Sequence, residues 1–328
     1  MNHFALFACM LRRDIPLPLV NIMFSWYRKL NGRVRWNNCI SNIFSIGSGL
    51  PQGSLLSPKF YNLVMDCILE TLQASGYGCY VNTAFAGALA YADDLLLLSA
   101  SLNGLQKLLD VCAEVAKPFD IVFNVIKSVA GIVGVKIIDC MPPLELQGRS
   151  LSWVNMFKYL GIEFQLGVYL KANVSARANK LTCAVCAVLR QKLPGYERVY
   201  VELIIKKCMP ILFYGLGAFA LTSDMLNALS QVWNMAFRFV FGLRKHDSTR
   251  HVFLNCNTMS LKFLFEERVL IFLESLICCK NALLHNLWWW LHSSVWCSNL
   301  FTRYGLCGRE TKSAIKSRVN VAFLNYCT

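Results

Sequence analysis

Two adjacent carboxylates, Asp93 and Asp94, are the residues of this sequence best suited to metal chemistry. They lie between two short apolar runs, 84–90 and 95–98. Because a buried carboxylate is costly unless it is paired or holds a metal, this context favours a cation bound by the pair. A β-hairpin turn would present both side chains at the edge of a cleft, where Mg²⁺ could take their oxygens. An ordinary Asp-containing hairpin turn is the alternative that these residues alone leave open.

The formal net charge of +14 is distributed unevenly along the 328 residues. Residues 1–60 hold seven Lys or Arg and one acidic residue, residues 61–145 hold four and nine, and residues 146–328 hold 22 and nine. An acidic centre between two basic flanks suits a metal-dependent site that handles a polyanion. A set of solvated basic helices is the open alternative.

The hydrophobic fraction of 55% and the mean hydropathy of +0.42 make a membrane worth considering. The longest apolar run, 270–296, carries Glu274, Lys280, His285 and His292, whereas a spanning helix needs about 20 nearly uninterrupted apolar residues. We therefore expect no membrane segment and no signal peptide, and a location in the cytoplasm, the nucleus or both. The 15 cysteines form no regular framework, which predicts reduced thiols that lie mostly in the core.

Apolar spacing and turn residues predict alternating helices and strands around the carboxylate pair. Helices are predicted within 3–30, broken at Pro16 and Pro18, and a hairpin of 33–36 and 40–46 follows them. The next predicted elements are a helix N-capped by Ser57 that runs to about Gln73 and then the Asp93–Asp94 hairpin. A helix capped by Ser101 or Asn103 and stopped by Pro118 comes next, followed by strands over 121–124 and 129–138. This order indicates an α+β fold, a split βαβ antiparallel sheet with helices on one face.

A mostly helical region is predicted to follow a tight β-turn within Phe157–Phe164. The predicted helices cover 172–192, 198–209, 224–241 and 261–280. The run Trp288–Trp290 could form a stacking or partner surface, although aromatic residues at helical spacing more often belong to the core.

Cations and aromatic residues alternate near the first hairpin. The cations are Arg28, Lys29, Arg33 and Arg35, and the aromatic residues are Trp26, Tyr27 and Trp36. Such a surface could clamp a nucleic-acid backbone and stack on its bases. A basic surface above buried aromatic side chains is the alternative.

Four motifs of this chain resemble those of reverse transcriptases, and most of all those of LINE-type (non-LTR) retrotransposons. They are P-Q-G-x-x-x-S-P from Pro51 to Pro58, Y-A-D-D from Tyr91 to Asp94, F-N-x-x-K-S from Phe123 to Ser128, and the L-G turn of Phe157–Phe164. Y-A-D-D alone is a weak signal, whereas its position about 40 residues after P-Q-G is a strong one. The resemblance covers 1–170 as palm and partial fingers and 171–250 as a helical thumb, and it assigns no role to 251–328.

The resemblance implies RNA-directed DNA synthesis by two-metal nucleotidyl transfer, with an RNA template, a DNA primer and deoxynucleotide triphosphates as partners. It implies that Asp93 and Asp94 are catalytic Mg²⁺ ligands and that Lys127 lies near the departing pyrophosphate. The residues implied to contact nucleotide or template are Gln52, Gly53 and Tyr91, and those implied to grip the primer are Leu160 and Gly161.

One motif of the family has no counterpart here. In the family a strand with another metal-binding Asp, in a pattern like A-F-D-x-V-N-H, precedes the first helix, whereas this chain begins Met1-Asn2-His3. We therefore expect a chain truncated just after that strand, with Mg²⁺ weakly bound or absent and an unpaired apolar edge beside the Asp93–Asp94 hairpin. Such a chain would be inactive or severely impaired as a polymerase on its own. A non-catalytic nucleic-acid-binding remnant is the alternative.

Overall fold

The chain divides into two compact units that both contain helices and strands. The computed structural model describes residues 1–134, 141–190, 194–219, 221–308 and 310–327, and for His292 only the backbone. Unit 1 combines residues 1–130 with 139–153, and unit 2 combines residues 131–138 with 154–328. The fold is mixed helix and strand, in agreement with the predicted α+β class. The functional domain bounds at 170 and 250 stay predictions.

Four helices form the frame of unit 1. They are α1 (His3–Arg12), α2 (Leu17–Arg28), α3 (Ser57–Ala74) and α4 (Leu102–Ala116), the last followed by a 3₁₀ turn at Lys117–Phe119. Asn2 begins α1 by accepting a hydrogen bond from the Phe4 N–H at 2.9 Å. Ser101, one of the two predicted caps, begins α4 by accepting from the Gly104 N–H at 3.1 Å. Pro16 separates α1 from α2, since proline cannot continue a helix.

The strands of unit 1 are short. They are β1 (Asn31–Gly32), β2 (Arg35–Trp36), β3 (Cys39–Ile40), β4 (Phe44–Ser45), β5 (Tyr80–Val81), β6 (Ala84–Phe85), β7 (Ala88–Tyr91), β8 (Asp94–Leu97), β9 (Val129–Ala130), β10 (Glu145–Leu146), β11 (Arg149–Ser150) and β12 (Ser152–Trp153). The antiparallel pairs are β1–β4, β2–β3, β5–β6, β7–β8 and β10–β11, whereas β9 and β12 are parallel. The predicted hairpin after α2 is therefore confirmed.

Two predictions about these elements need correction. Residues 121–124 form no strand in the structure, because Asn124 begins a hydrogen-bonded turn instead. The predicted strand at 129–138 is observed only at 129–130, as β9, whereas 131–134 form no strand and 135–138 lie outside the described residues.

Unit 1 is held by three apolar clusters. The first packs α1, α2 and α3 together around Leu6, Tyr27 and Val64. The second packs α3 and α4 against the β7–β8 hairpin around Ile68 and Leu108. The third packs α4 against β9, β10 and β12 around Leu109 and Leu146. The hairpin with the carboxylates is thus supported by α3 and α4. Helix α3 follows the loop of residues 49–56, which we call the Gly-rich loop, and α4 follows the hairpin.

Unit 2 is a small antiparallel sheet followed by helices. Its strands are β13 (Met156–Tyr159), β14 (Ile162–Gln165) and β15 (Lys171–Ala172), in the order β13-β14-β15. Its α-helices are α5 (Val174–Leu189), α6 (Glu197–Leu203), α7 (Met209–Phe213), α8 (Ser223–Phe241), α9 (Arg250–Asn255), α10 (Leu261–Ile277), α11 (Ala282–His292), α12 (Val295–Arg303) and α13 (Lys312–Cys327). A π-helical turn, Ile204–Cys208, joins α6 to α7, and a 3₁₀ turn covers Leu216–Ala218.

The four helices predicted for unit 2 are all observed. Helix α5 ends at Leu189, and the predicted residues 191–192 lie outside the described residues. The core of unit 2 includes the buried rings of Trp233, Phe237 and Phe253. None of the helices in the described part of the chain combines the length and apolar character that crossing a bilayer requires.

Two predictions about buried side chains need correction. Only four of the 14 cysteines with described side chains are buried, and five are exposed. In the tryptophan run Trp288 is buried, whereas Trp289 and Trp290 are 63% and 70% exposed. Helix α11 therefore buries one ring of the run and leaves its two neighbours open, as the rotation of 100° per residue along a helix requires.

Candidate active site

Asp93 and Asp94 lie at the tip of the β7–β8 hairpin. Tyr91 pairs with Asp94 across the ladder, so Ala92 and Asp93 form a two-residue turn. Ala92 has a φ of +52°, in the left-handed region that such hairpin turns commonly need at their first position. The predicted hairpin is confirmed, and both carboxylates belong to residues at its tip.

Both carboxylates are exposed, contrary to the expectation of a buried pair. Only one face of the hairpin, with Ala88, Leu95 and Leu97, packs against the helices of unit 1. Side chains alternate between the faces of a strand, so Asp94 belongs to the opposite face. An exposed carboxylate keeps its hydration and has no desolvation cost for a cation to offset. The argument from burial for a bound cation therefore does not apply.

Tyr61 is a residue of this site that the sequence reasoning missed. It lies on α3 and packs with the cluster that supports the hairpin. Burial raises the pKa of the Tyr61 hydroxyl, and the negative charge of Asp93 raises it further. The two groups therefore interact. The one available signal was the helical spacing of Tyr61 with Met65, Ile68 and Leu72, which places it on the buried face of α3.

The Gly-rich loop is anchored at its start by the first helix. His3 Nε2 lies 2.7 Å from the Gly49 carbonyl oxygen. The Gly49 N–H donates to the Met1 carbonyl at 2.8 Å. Residues 1–3 thus hold the loop against α1.

The end of the loop is anchored by Ser57, but not as predicted. The Ser57 hydroxyl donates to the Pro51 carbonyl at 2.7 Å, and Ser57 is the first residue of α3 instead of its N-cap. Gln52 and Gly53, the predicted nucleotide or template residues, lie exposed between the two anchors, with Gly53 at φ +84°. Glycine adopts this conformation without strain.

Lys127 lies on a turn that Asn124 organises. The Asn124 side-chain oxygen accepts from the Lys127 N–H at 3.2 Å, and its backbone carbonyl accepts from the Ser128 N–H at 3.0 Å. The F-N-x-x-K-S motif is therefore a turn that both the side chain and the backbone carbonyl of Asn124 close. The Lys127 side chain of this motif is exposed and therefore accessible to an anion in solution.

The donor set at the hairpin tip does not fit a firmly bound metal ion. Across the described residues, no group of three or more His, Cys, Asp or Glu side chains is placed to hold one. Mg²⁺ demands near-octahedral oxygen ligation and gives up its water reluctantly. Asp93 and Asp94 supply two hydrated carboxylates, and further oxygens would have to come from a nucleotide or from another segment.

The L-G turn lies in unit 2, where it joins β13 to β14. Tyr159 pairs with Ile162, and Leu160 and Gly161 form a two-residue turn with φ +46° and +78°. This confirms the predicted tight β-turn. Leu160 is a branched residue in the left-handed region, which is uncommon and needs support from the surrounding structure.

Arg177, a second residue that the sequence reasoning missed, supplies that support. Its Nη2 donates to the Gly161 carbonyl at 2.9 Å, and its Nη1 donates to the Ile211 carbonyl at 3.5 Å. Its guanidinium lies 5.4 Å from the centre of the Tyr214 ring. The side chain is only 7% exposed, so the turn is held by a hydrogen bond from a buried arginine of α5.

The cations and two of the aromatic rings at and before the first hairpin of unit 1 are exposed. Trp36 is 77% exposed and Trp26 is 45% exposed, whereas Tyr27 is buried. The cations are Arg28, Lys29, Arg33 and Arg35, and within the described residues no carboxylate forms an ion pair with them. The sequence contains no acidic residue between Asp14 and Asp66. We call this set, with Trp26 and Trp36, the basic–aromatic surface.

Comparison with known proteins assigns the first half of the chain. Residues 2–164 match the family described as Reverse transcriptase (RNA-dependent DNA polymerase). The matched region contains the Gly-rich loop, the Asp93–Asp94 hairpin, the Lys127 turn and the L-G turn. These residues therefore form a reverse transcriptase domain.

The relatives are proteins of non-LTR retrotransposons. The chain is 31% identical over 173 residues to the Retrovirus-related Pol polyprotein from type-2 retrotransposable element R2DM of Drosophila melanogaster, a match that covers 50% of this chain and 16% of that protein. It is 27% identical over 219 residues to the type-1 retrotransposable element R2 polyprotein of Popillia japonica, which covers 64% of this chain and 35% of that protein. It is 23% identical over 252 residues to the RNA-directed DNA polymerase from mobile element jockey of Drosophila funebris, which covers 71% and 26%. The matches thus span about a third or less of each relative's length.

Proposed function

We propose that this chain is the palm, part of the fingers and a thumb-like region of an RNA-directed DNA polymerase from a non-LTR retrotransposon. In this proposal 1–170 form the palm and partial fingers, 171–250 form the thumb, and 251–328 form a helical extension. Its partners are an RNA template, a DNA primer and deoxynucleotide triphosphates, and it acts in the cytoplasm, the nucleus or both. The reaction class is nucleotidyl transfer.

The observation that carries the proposal is the hairpin tip with Asp93 and Asp94 inside a reverse transcriptase domain. In this reading the two carboxylates face the reacting phosphates. Gln52 and Tyr91, both exposed, contact the incoming nucleotide or the template. The Leu160–Gly161 turn grips the primer, and Lys127 meets the departing pyrophosphate, where a cation stabilises negative charge.

We further propose that the 328-residue chain is inactive or severely impaired as a polymerase on its own. The supporting observation is the donor set, because the described residues place two carboxylates at the tip and no third ligand beside them. Mg²⁺ would bind such a pair weakly. A separate segment that contributes a third carboxylate would complete the site.

Primer extension tests this proposal. Purified chain is incubated with an RNA template, an annealed DNA primer, deoxynucleotides, and Mg²⁺ or Mn²⁺, beside the variants Asp93→Ala and Glu70→Ala. Glu70 is an exposed carboxylate of α3 in an ion pair with Arg13, and its replacement controls for loss of charge. We expect no extension above background from any of the three. Robust elongation that Asp93→Ala abolishes and Glu70→Ala preserves would overturn the claim of inactivity.

A non-catalytic nucleic-acid-binding protein is the second candidate function. The basic–aromatic surface favours it, because unpaired cations attract phosphates and exposed tryptophan rings stack on bases. Binding of this kind is independent of Asp93. It therefore survives in a chain whose metal site is incomplete.

Fluorescence anisotropy with a labelled RNA–DNA hybrid or single-stranded RNA tests the second function. Trp36→Ala should weaken binding about tenfold, from a stacking contribution of about 1–3 kcal/mol. Trp290→Ala, which removes a comparably exposed ring from unit 2, serves as the matched control and should bind as wild type does. Affinity should fall steeply with salt and be unchanged in Asp93→Ala. Absence of binding at low salt would remove this function.

A further inference from the structure

Two cysteine sulfurs lie unusually close together in unit 1. Cys9 Sγ on α1 and Cys67 Sγ on α3 are 2.9 Å apart. The two residues are separated by 58 positions in the sequence. A disulfide bond is about 2.05 Å long, so the sulfurs need to approach by roughly 0.9 Å to form one. Among the cysteines whose side chains the structure describes, no other two sulfurs lie within hydrogen-bond distance of each other.

The surroundings hold the two sulfurs in place. Both thiols point to one acceptor, the Leu63 carbonyl oxygen, at 3.6 Å from Cys9 and 3.5 Å from Cys67. The Arg13 guanidinium lies beside Cys67 and forms an ion pair with Glu70 at 2.7 Å. Packing between α1 and α3 thus fixes both partners before any reaction.

The two thiols differ in their access to solvent. Cys9 is only 2% exposed, whereas Cys67 is partly exposed. Burial raises the pKa of the Cys9 thiol to about 12, with further contributions from its hydrogen bond to Cys67 and from the Cys67 charge. An oxidant therefore reaches Cys67 first.

We propose that Cys9 and Cys67 are an oxidation site at which a small-molecule disulfide, such as oxidised glutathione, installs a disulfide bond between α1 and α3. The site follows from the sulfur geometry alone and is independent of the proposed polymerase or binding function.

The reaction is two successive thiol–disulfide exchanges. The Cys67 thiolate attacks one sulfur of the small disulfide, whose S–S bond breaks and releases one small thiolate that takes up a proton. Cys9 then loses its proton to solvent and attacks the Cys67 sulfur. The mixed disulfide breaks and releases the second small thiolate, which is protonated in turn. Two protein thiols are oxidised by two electrons, and the small disulfide is reduced to two thiols.

The bond would tie the first helix to the helix that follows the Gly-rich loop. Residues 1–3 hold Gly49 at the start of this loop, and Ser57 holds its end. The crosslink closes about 60 residues of chain, and loops of that length gain most from closure because the unfolded chain loses entropy. We therefore expect a rise in Tm of about 5–10 °C for unit 1 on oxidation.

Peptide mapping of the full-length wild-type protein tests the proposal. The protein is treated with oxidised glutathione at pH 8, its remaining thiols are alkylated under denaturing conditions, and it is digested without reductant by trypsin and a Glu-specific protease. Fragments 1–12 and 60–70 each contain one cysteine, Cys9 and Cys67 respectively. We expect them as a single crosslinked species that dithiothreitol separates. Below the Cys9 pKa, the rate of the second step should rise about tenfold per pH unit.

Two variants make the test specific. Cys67→Ser should abolish the crosslink and the rise in Tm. Cys112→Ser, which removes a buried thiol of α4 with a similarly raised pKa, should leave both unchanged. Recovery of fragment 1–12 with an alkylated Cys9 after complete oxidation of the exposed thiols would overturn the proposal. Stable glutathione on Cys67, or pairing of Cys67 with another cysteine, would overturn it as well.

Discussion

Replacement of Arg177 by Leu should destabilise unit 2 far more than loss of a neighbouring surface cation. Leucine keeps the apolar part of the side chain and removes the guanidinium. The lost hydrogen bond to the Gly161 carbonyl at 2.9 Å is charge-assisted and contributes about 1.5–3 kcal/mol. The contact with the Tyr214 ring at 5.4 Å adds about 0.5–1 kcal/mol. Release of a buried charge offsets part of this loss, so we expect a net cost of about 2–3 kcal/mol.

Lys180 provides the matched control on the same helix. Its ammonium forms an ion pair with Glu163 at 3.1 Å, but the two side chains are 43% and 30% exposed. An exposed pair of this kind contributes about 0.2–1 kcal/mol because solvent screens it. Lys180→Met should therefore cost no more than about 1 kcal/mol.

Urea unfolding followed by tryptophan fluorescence measures both variants, since Trp233 is buried in the core of unit 2. The free energy of unfolding should fall by about 2–3 kcal/mol for Arg177→Leu. The same low salt should be used throughout, because the Lys180 contribution depends on it. Equal losses of unfolding free energy in the two variants would refute the claim that the buried Arg177 side chain stabilises the Leu160–Gly161 turn.

Three further predictions follow from single residues. Gly161→Ala should lower the free energy of unfolding by about 1–2 kcal/mol, because Gly161 has φ +78° and a left-handed conformation is costly for alanine. The free energy of unfolding of Glu274→Gln, relative to that of wild type, should increase from pH 4 to pH 7, as measured by urea unfolding at both values. Burial raises the pKa of Glu274, so ionisation of this carboxyl destabilises the folded wild-type protein as the pH rises. Asp93→Asn should lower the pKa of Tyr61, seen in the difference between the ultraviolet tyrosinate titrations of variant and wild type.

Each of these has a clear opposite result. Gly167→Ala is the control for Gly161→Ala, because a Cβ at residue 167 meets no atom within 4 Å. An equal loss of unfolding free energy in both variants would contradict the explanation from the left-handed backbone of Gly161. For Glu274 the sign follows from linkage: stability from the neutral carboxyl is full below its unfolded pKa and is lost as pH rises through the raised folded pKa. A difference in the free energy of unfolding between variant and wild type that stays constant with pH would contradict this prediction. Identical tyrosinate titrations would show that Asp93 does not act on Tyr61.

Local patterns in the sequence were sufficient to predict the turns. The two apolar runs around Asp93 and Asp94 specify a hairpin, because alternate residues of both strands can then pack on helices. The Leu160–Gly161 turn and the Ser101 cap are likewise set by residues close in sequence. The match of residues 2–164 to the reverse transcriptase family agrees with the resemblance carried by those motifs.

Exposure and long-range contacts were beyond the reach of the sequence. Apolar neighbours suggested that the carboxylates are buried, but a turn projects its residues beyond the packed face of the hairpin. Arg177 is buried by a sheet turn and a helix that follow from the tertiary fold, and arginine is ordinarily expected at the surface. Ser57 has the residue type of an N-cap, yet it bonds to Pro51, a partner that only the loop conformation brings near.

Mn²⁺ binding, followed by the electron paramagnetic resonance signal of the free ion, measures whether Asp93 and Asp94 form an incomplete polymerase metal site, as we propose. We expect wild-type protein to bind Mn²⁺ with a Kd of about 1 mM or weaker, and Asp93→Asn to weaken it further. A Kd of about 10 µM or tighter that Asp93→Asn abolishes would contradict the account, because it would mean that the 328 residues contain a complete site.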